Sequence, residues 1–247
     1  MNDTIQLLLN RKSVRDYEDR DIPEEIKKEI LEAAIRAPSA GNMNPYSIIE
    51  VEDSDIKEKL AVSCSNQMFI AKAPWVVVFL ADYRRWYELF RRNVSEDIRK
   101  PGIGDLRGAK GDARIVAQTA VIAAESYGIG SCYIGTVHKE YEYNRELLGL
   151  PDYVEIADLV CFGYPTKKQK QLPQRGRFKA SEIVYRDRYD LSKSDAMERM
   201  LLERDARETA GRGPQEYFRF KCEQKWTAQF LKDMAESSSR ENAHWEH

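Results

Sequence analysis

The sequence is poor in the residues that most often form metal sites and catalytic dyads. It has only three histidines, two of them among the last four residues, and four cysteines that lie far apart. No two cysteines have CxxC spacing, so the sequence indicates neither a zinc site nor a disulfide framework. Isolated cysteines with apolar neighbours are typical of core positions, and their use here favours a reducing compartment. The third histidine, His138, lies beside Lys139 and is expected at the surface.

Long apolar runs and a strong excess of charge are also absent. The longest apolar run, residues 73–81, is far shorter than the ~20 residues of a membrane span. The apolar group from Ile5 to Leu9 precedes a basic cluster, which is the reverse of the order in a signal peptide. The net charge of -2 argues against the strongly basic face that nucleic-acid binding normally needs. We therefore expect a cytoplasmic protein with no nucleic-acid and no membrane partner.

Several motifs of nucleotide binding and catalysis are missing as well. The segments Gly102-Ile-Gly104 and Gly128-Ile-Gly130 both lack the third glycine of G-x-G-x-x-G, which argues against a Rossmann nicotinamide domain. The sequence contains no P-loop, no G-x-S-x-G and no H-E-x-x-H. Because arginines cluster without an obvious catalytic acid, base or nucleophile, we expect a bound cofactor to supply the reactive group.

Helical and strand patterns alternate along the chain. Residues 113–127 predict a helix with mostly small side chains on one face, which would admit close packing of another helix. Residues 98–112 contain Pro101 and four glycines, and we expect them to form a mobile loop. The pattern predicts an α/β or α+β protein with a core at 1–165 and a C-terminal extension at 166–247. The predicted strands are 46–51, 76–81, 131–135 and 155–162.

Three polar stretches have the composition of a binding site for an anion or a flat ligand. Arg11 to Arg15 contains three cations and a hydroxyl, which suit a phosphate group. Pro38 to Pro45 is a loop of small and amide side chains that lets the backbone approach a flat ligand. Arg175 to Arg177 adds two further cations. Taken alone, each stretch is more often a solvated linker or an ordinary loop.

Taken in order, four segments resemble the nitroreductase family of flavoproteins. The resemblance covers about residues 5–190, and the subgroup with a long C-terminal extension fits best. The resemblance implies that the extension, residues 166–247, contains a phosphate-contact loop, a strand and helices that wrap the core or the partner. No single motif identifies the family, whereas four motifs in the family's order, on the expected helices, strands and loops, are specific for it. The segments are Arg11, Ser13, Arg15 and Tyr17 for R-x-S-x-R-x-Y, residues 37–46 for the A-P-S-x-x-N loop, residues 128–135 for G-x-G-x-x-x-I-G, and residues 163–165 for G-Y-P.

The resemblance implies a fold, a cofactor and a reaction. The fold is α+β, with a central, mostly antiparallel sheet flanked by helices, in an intertwined homodimer whose two FMN sites lie at the subunit interface. The expected reaction is hydride transfer from NADPH or NADH, through flavin N5, to nitroaromatics, quinones or related electron-poor acceptors by a ping-pong mechanism. A flavin reductase or a reductive dehalogenase of the same fold is an alternative. A non-catalytic FMN-binding protein is another.

The resemblance also implies which residues bind FMN. No side chain is expected to act as a nucleophile, and Arg15 is expected to stabilise negative charge on the flavin. Ser39, Asn42 and Asn44 would reach the flavin of the partner subunit. The implied FMN contacts are Arg11, Lys12, Ser13, Arg15, Ser39, Asn42, Asn44, Gln67, the backbone of Tyr133, Ile134, Gly135 and Thr136, and the phosphate-binding Arg175 and Arg177.

The sequence departs from the family pattern at several of these positions. Asn44 stands where many relatives have a longer Gln, and Gly176 replaces a proline, which we expect to loosen its loop. Arg207 and Arg212 have the spacing of two arginines that bind the nucleotide phosphate in the NADPH-using subgroup. For the FMN phosphate, the competing assignment is Lys167, Lys168 and Lys170.

Overall fold

A four-stranded antiparallel sheet is the centre of the fold in this computed structural model, which describes residues 2–206, 209 and 211–246. Its strands are β1 (Tyr46–Val51), β2 (Trp75–Asp82), β3 (Gly130–Tyr133) and β4 (Val154–Gly163). They are paired in the order β1-β2-β4-β3, and every pairing is antiparallel. Every residue of β2 is buried, as expected for an apolar strand that is covered on both faces. The predicted α+β fold with a mostly antiparallel sheet is confirmed.

The chain divides into two compact units, residues 1–172 with 233–247, and residues 173–232. In the first unit the helices cover both faces of the sheet, and buried apolar residues form a cluster on each side. No described helix is both long enough and apolar enough to span a bilayer. The helices of the first unit are α1 (Asp3–Asn10), α2 (Glu24–Ala34), α3 (Ser54–Ser63), α4 (Arg84–Asn93), α5 (Ile103–Ser126), α6 (Tyr141–Leu147) and α7 (Lys167–Gln171).

Most of the segment predicted as a mobile loop, residues 98–112, belongs instead to α5. The helix begins at Ile103, where the Asp105 carboxylate accepts a hydrogen bond from the backbone N–H of Gly102 at 2.9 Å. Arg99 donates two hydrogen bonds to the same carboxylate, at 2.6 and 2.9 Å. A glycine costs a helix about 1 kcal/mol relative to alanine. Capping and the burial of Leu106 and Ala109 outweigh this cost, so the loop prediction was wrong.

The small-residue face of α5 is used inside the chain. Ala113, Val116, Ala117, Ala120 and Ala124 are all fully buried, and α5 contacts α2 and the central strands. Helix α2 packs against this face, which agrees with the prediction that the small side chains admit another helix. Because these five side chains are fully buried within the chain, they are not available to contact a partner subunit.

The second unit is helical where it is described. Its helices are α8 (Ala180–Ile183), α9 (Ser192–Asp195), α10 (Met197–Arg204), α11 (Pro214–Lys225) and the start of α12 (Gln229–Ala243). A strand was expected in the extension, but the described residues of 166–247 contain none. Gly176 was expected to loosen its loop, but it packs closely against the backbone of Arg204. A Cβ atom there would lie 2.3 Å from the carbonyl oxygen of Arg204, so close backbone packing requires glycine.

Candidate functional site

The basic segment at residues 11–15 is fastened along the edge strand β3. The backbone N–H of Val14 donates to the carbonyl of Ser131 at 2.9 Å, and Ser13 forms a parallel bridge with Ser131. A Cβ atom at Gly130 would lie 2.3 Å from the Val14 side chain, so this close approach depends on glycine. Val14 is buried whereas Arg15 is exposed, so the segment presents its cation outward from a fixed backbone.

Helix α7 holds the same segment from the other side. The Gln169 amide donates to the carbonyl of Ser13 at 3.3 Å and accepts from the backbone N–H of Arg15 at 3.4 Å. The Lys12 ammonium donates to the carbonyls of Lys170 and Leu172, at 2.7 and 2.6 Å. Lys12 therefore holds the end of α7 in this structure. Gln169 belongs to the site's scaffold and was missed in the sequence, because 156 residues separate it from Ser13.

Two buried polar atoms beside the basic segment have no hydrogen-bond partner among the described residues, Oγ of Ser131 and Oε1 of Glu125. Burial raises the pKa of Glu125 to about 6, and the nearby Arg11 acts in the opposite direction. The set of groups is thus cationic and hydrogen-bonding, with one carboxyl group of unusually high pKa. Cations and hydroxyls of this kind match a phosphate and its polyol chain.

The predicted flavin loop brings Ser39, Asn42 and Asn44 together. The Ser39 hydroxyl accepts from the backbone N–H of Asn44 at 3.1 Å and donates to its amide oxygen at 3.2 Å. The Asn44 amide nitrogen donates to the carbonyl of Asn42 at 3.0 Å. Asn42 and Asn44 have φ values of +54° and +48°, a conformation that asparagine tolerates better than most residues. Asparagine in place of glutamine therefore has a structural role within this loop.

Helix α4, which follows β2 and was not predicted, supports the flavin loop. The Trp86 indole N–H donates to the carbonyl of Met43 at 2.7 Å. Arg85 donates to the carbonyls of Asn44 and Tyr46. On the other side, the backbone N–H of Ala40 donates to the buried carboxylate of Asp112 on α5 at 3.0 Å. The loop is thus held at three points by side chains from two helices.

Gln67 and Thr136, predicted separately as flavin contacts, are hydrogen-bonded to each other. The Gln67 amide donates to the Thr136 hydroxyl at 2.7 Å and to the carbonyl of Cys64 at 2.8 Å. Thr136 lies in the short 3-10 turn Gly135–His138 that directly follows β3. The predicted backbone segment from Tyr133 to Thr136 therefore continues from the same strand that carries the basic segment. Burial raises the pKa of the Tyr133 hydroxyl.

His138 differs from its expected position. It is half-buried, and burial lowers its pKa to about 4, with further lowering by the nearby Lys110 and Arg114. The expectation of a surface histidine was wrong, because the 3-10 turn after β3 leaves this side chain half-buried. The lowered pKa favours the neutral imidazole at physiological pH.

The remaining predicted arginines lie in the second unit. Arg177 donates to the carbonyls of Arg175 and Gly176, at 3.3 and 3.0 Å, so its guanidinium lies against its own loop. The Arg212 guanidinium lies 4.4 Å from the centre of the Phe220 ring. Arg207 lies outside the described residues. The assignment of these arginines to phosphate groups stays a prediction, as does the competing assignment to Lys167, Lys168 and Lys170.

A cavity of about 360 Å³ lies between α4 and the start of α5. We call it the aromatic cavity, because four rings line it together with a methionine and an arginine. The Trp86 and Phe90 rings are 5.4 Å apart, with their planes tilted by 34°. The residues used in the argument below are Met43, Tyr83, Trp86, Tyr87, Phe90 and Arg99.

Comparison with known proteins identifies the family. The model of the Nitroreductase family matches residues 8–164, which is more than half of the chain. The chain is 32% identical over 189 residues to an NADPH-flavin oxidoreductase of Vibrio harveyi, covering 76% of this chain and 75% of that protein. It is 30% identical over 198 residues to an FMN reductase (NADPH) of Bacillus subtilis strain 168, covering 79% and 78%.

Solved structures agree with this assignment. NfrA2 of B. megaterium matches with a TM-score of 0.79 at 26% identity, covering 94% of this chain and 98% of that chain. The NADPH:FMN oxidoreductase of Vibrio harveyi, solved in complex with NAD+, matches with a TM-score of 0.72 at 26% identity, covering 89% and 96%. The chain therefore belongs to the nitroreductase family, as the motif order predicted, and is an enzyme of the oxidoreductase class.

Proposed function

We propose that this chain is an FMN-dependent NAD(P)H oxidoreductase that acts as a homodimer on nitroaromatics, quinones or related electron-poor acceptors. For a quinone, the net reaction is NAD(P)H plus a proton plus quinone, giving NAD(P)+ and hydroquinone. The names of the relatives, an NADPH-flavin oxidoreductase and two FMN reductases, support the cofactor and the donor. The observation that carries the proposal is that β3 and its following turn organise both the basic segment at 11–15 and the Gln67–Thr136 pair.

The donor set of this site fits FMN. Arg11 and the Ser13 hydroxyl would bind the phosphate and ribityl chain, while Gln67 would bind a polar edge of the ring. When bound, the flavin supplies a centre that takes up a hydride and delivers it to a second molecule. Arg15 would stabilise negative charge at the pyrimidine edge of the ring. Because α7 and β3 fix its backbone, this charge is preorganised and needs little rearrangement during the reaction.

Visible spectra of the purified protein, recorded anaerobically before and after NADPH and repeated with NADH, test the proposal. We expect a yellow protein with one flavin per chain that is bleached by at least one donor and recolours on adding a quinone. Arg15→Ala should lose flavin or slow its reduction by about tenfold or more, since one oxyanion-type contact commonly contributes that much. Lys28→Ala, which removes an exposed cation from α2, is the matched control.

The outcomes separate the alternatives. Yellow protein that neither donor bleaches would favour a non-catalytic FMN-binding protein. Colourless protein that ignores added FMN would contradict the proposal. An Arg15→Ala variant equal to wild type in flavin content and in the rate of flavin reduction would show that Arg15 does not contribute to the site. A steady-state panel of a nitrofuran, a quinone, free flavin and a halophenol would then distinguish nitroreductase, flavin reductase and reductive dehalogenase activities.

A further inference from the structure

The aromatic cavity has no role in binding the cofactor under the proposed function. Rings of Tyr83, Trp86, Tyr87 and Phe90 line it, and its volume of about 360 Å³ lies at the small end of ordinary ligand pockets. Most large apolar side chains of the first unit are buried in the sheet's core, whereas Phe90 is 39% exposed beside this cavity. Aromatic surface that is held open in a concave site is typical of ligand binding.

The cavity adjoins the predicted flavin loop through Met43. This residue lies between Asn42 and Asn44, and its carbonyl is held by the Trp86 indole at 2.7 Å. Met43 also lines the cavity. A ligand in the cavity would therefore lie next to the loop that, by family resemblance, reaches the partner's flavin.

We propose that the aromatic cavity binds the fused-ring portion of the electron acceptor and so selects planar acceptors of two or more rings. This inference rests on the proposed function and names the acceptor class of that site. Offset or edge-to-face contacts with four rings, and a thioether contact from Met43, favour a flat π-system. A fused two-ring system can contact more of these rings at once than a single ring can. The concave shape favours a small molecule over the flat face of a protein.

Arg99 adds a polar end to the cavity. Its guanidinium forms a bidentate contact with Asp105, at 2.6 and 2.9 Å, and the Arg99 side chain is 75% exposed. A guanidinium oriented in this way beside aromatic walls can face the π-system of a ligand or the oxygen of a nitro or quinone group. The cavity thus combines apolar walls with one oriented donor, which suits an electron-poor aromatic acceptor.

The test compares two fully substituted quinones that differ in ring number, 2,3-dimethyl-1,4-naphthoquinone and duroquinone, with the holoenzyme at a saturating nicotinamide donor. Phe90→Ala should lower kcat/KM for the naphthoquinone by about tenfold and change that for duroquinone less than twofold. Leu89→Ala is the matched control, because Leu89 is the exposed neighbour on α4 and does not line the cavity. Flavin reduction by the donor should be unchanged in both variants.

An equal loss for both quinones would overturn the proposal, because the substitution would then act on the flavin site rather than on ring number. No loss for either quinone would overturn it as well. These outcomes leave the proposed function intact, whereas failure of both donors to reduce the flavin would refute the proposed function itself.

A fluorescence measurement tests whether the cavity binds the naphthoquinone, without turnover. In a Trp226→Phe background the highly exposed Trp226 is removed, and Trp75 and Trp245 are buried, so collisional quenching reports on Trp86. We expect saturable quenching by the naphthoquinone that Phe90→Ala weakens by about tenfold. Absence of saturable quenching would contradict the proposal. Emission that instead follows protein concentration would show that a second copy of the chain covers the cavity, and would also contradict it.

Discussion

Glu125 places an ionisable carboxyl group beside the cations that are proposed to bind the flavin phosphate. Its Oε1 is buried without a partner among the described residues, and its pKa is raised to about 6. A raised pKa in the folded state means that stability is fully present below about pH 4.5 and is lost as the pH rises through about 6. Near neutral pH the ionised Glu125 carboxylate therefore lowers the stability of the folded protein, and the Arg11 cation offsets part of this loss.

We expect Glu125 to make flavin binding depend on pH. Above about pH 6 its negative charge repels a phosphate held by Arg11, so the affinity of the apoprotein for FMN should fall between pH 5.5 and 7.5. Because FMN phosphate titrates in the same range, the informative quantity is the difference between wild type and Glu125→Gln. The variant should bind FMN about tenfold more tightly at pH 7.5 and similarly at pH 5.5, measured by fluorescence titration.

A constant ratio of the two affinities across this range would show that Glu125 does not sense the phosphate. The same variant should gain up to about 2 kcal/mol in free energy of unfolding at pH 7.5, since it removes an ionised group whose pKa burial raises to about 6. That gain gives a second measurement that does not involve FMN.

Contiguous features of the site could be predicted from the sequence, and features joined over long distances could not. The segment at 11–15 and the loop at 38–45 carry their chemistry in a few adjacent residues. Gln169 and Glu125 are unremarkable in the sequence, and only the folded chain brings them beside the basic segment, Gln169 from α7 and Glu125 from α5. The pairing of Gln67 with Thr136 likewise needed the folded chain, although both residues were named separately.

At the scale of elements, α5 shows why composition misled the prediction for residues 98–112. Its glycines at 104, 108 and 111 face open space, where an added Cβ would meet nothing within 4 Å. The opposite side of this stretch is covered by Trp245, which is 1% exposed and packs with Leu106 and Ala109. The contact joins residues more than 130 positions apart, so no local pattern could report it.

Trp245 also ends a buried polar network. Its indole N–H donates to Oε1 of Glu155 at 3.2 Å, and Arg145 and Tyr141 donate to the same atom at 2.5 and 2.9 Å. Burial raises the pKa of Glu155 to about 7, so this group is partly ionised at neutral pH. Nearby, Lys110 of α5 pairs with Glu241 of α12 in a largely buried ion pair. The end of the chain thus stabilises the glycine-rich half of α5.

Trp245→Ala should lower the free energy of unfolding by about 3–5 kcal/mol, the usual cost of removing a buried aromatic ring. The loss should be larger at pH 8 than at pH 5, because the ionised Glu155 carboxylate then lacks one of its donors. Urea denaturation at both pH values measures this. Trp226→Ala is the matched control, since Trp226 is 81% exposed and its removal should change stability by less than about 0.5 kcal/mol. Equal losses in the two variants would contradict this role for Trp245.

At the scale of the whole molecule, helix α1 exposes apolar side chains that the rest of the single chain does not cover. Ile5, Leu8 and Leu9 are 44%, 40% and 57% exposed, and α1 has no buried residue. The helix leads directly into the basic segment that is proposed to bind FMN. Apolar side chains exposed on one short helix, next to a cofactor segment, are expected at a subunit interface. This surface supports the proposed homodimer better than the small-residue face of α5.

Leu9→Glu should therefore dissociate the homodimer and release flavin together. A carboxylate in an apolar interface should raise the dissociation constant of the dimer by at least about tenfold. Light scattering after gel filtration should give twice the 28.6 kDa chain mass for wild type, falling toward one chain mass in the variant on dilution. The far-UV circular dichroism should be unchanged, because Leu9 is not part of the chain's own core.

Val62→Glu is the matched control, since Val62 is 53% exposed on α3 and the substitution introduces the same carboxylate. It should keep both the dimer mass and the flavin. A Leu9→Glu protein that stays dimeric would exclude α1 from the interface. A monomeric variant that retains one flavin per chain would show instead that the site is complete within a single chain. The shared site requires mass and flavin content to fall over the same range of protein concentration.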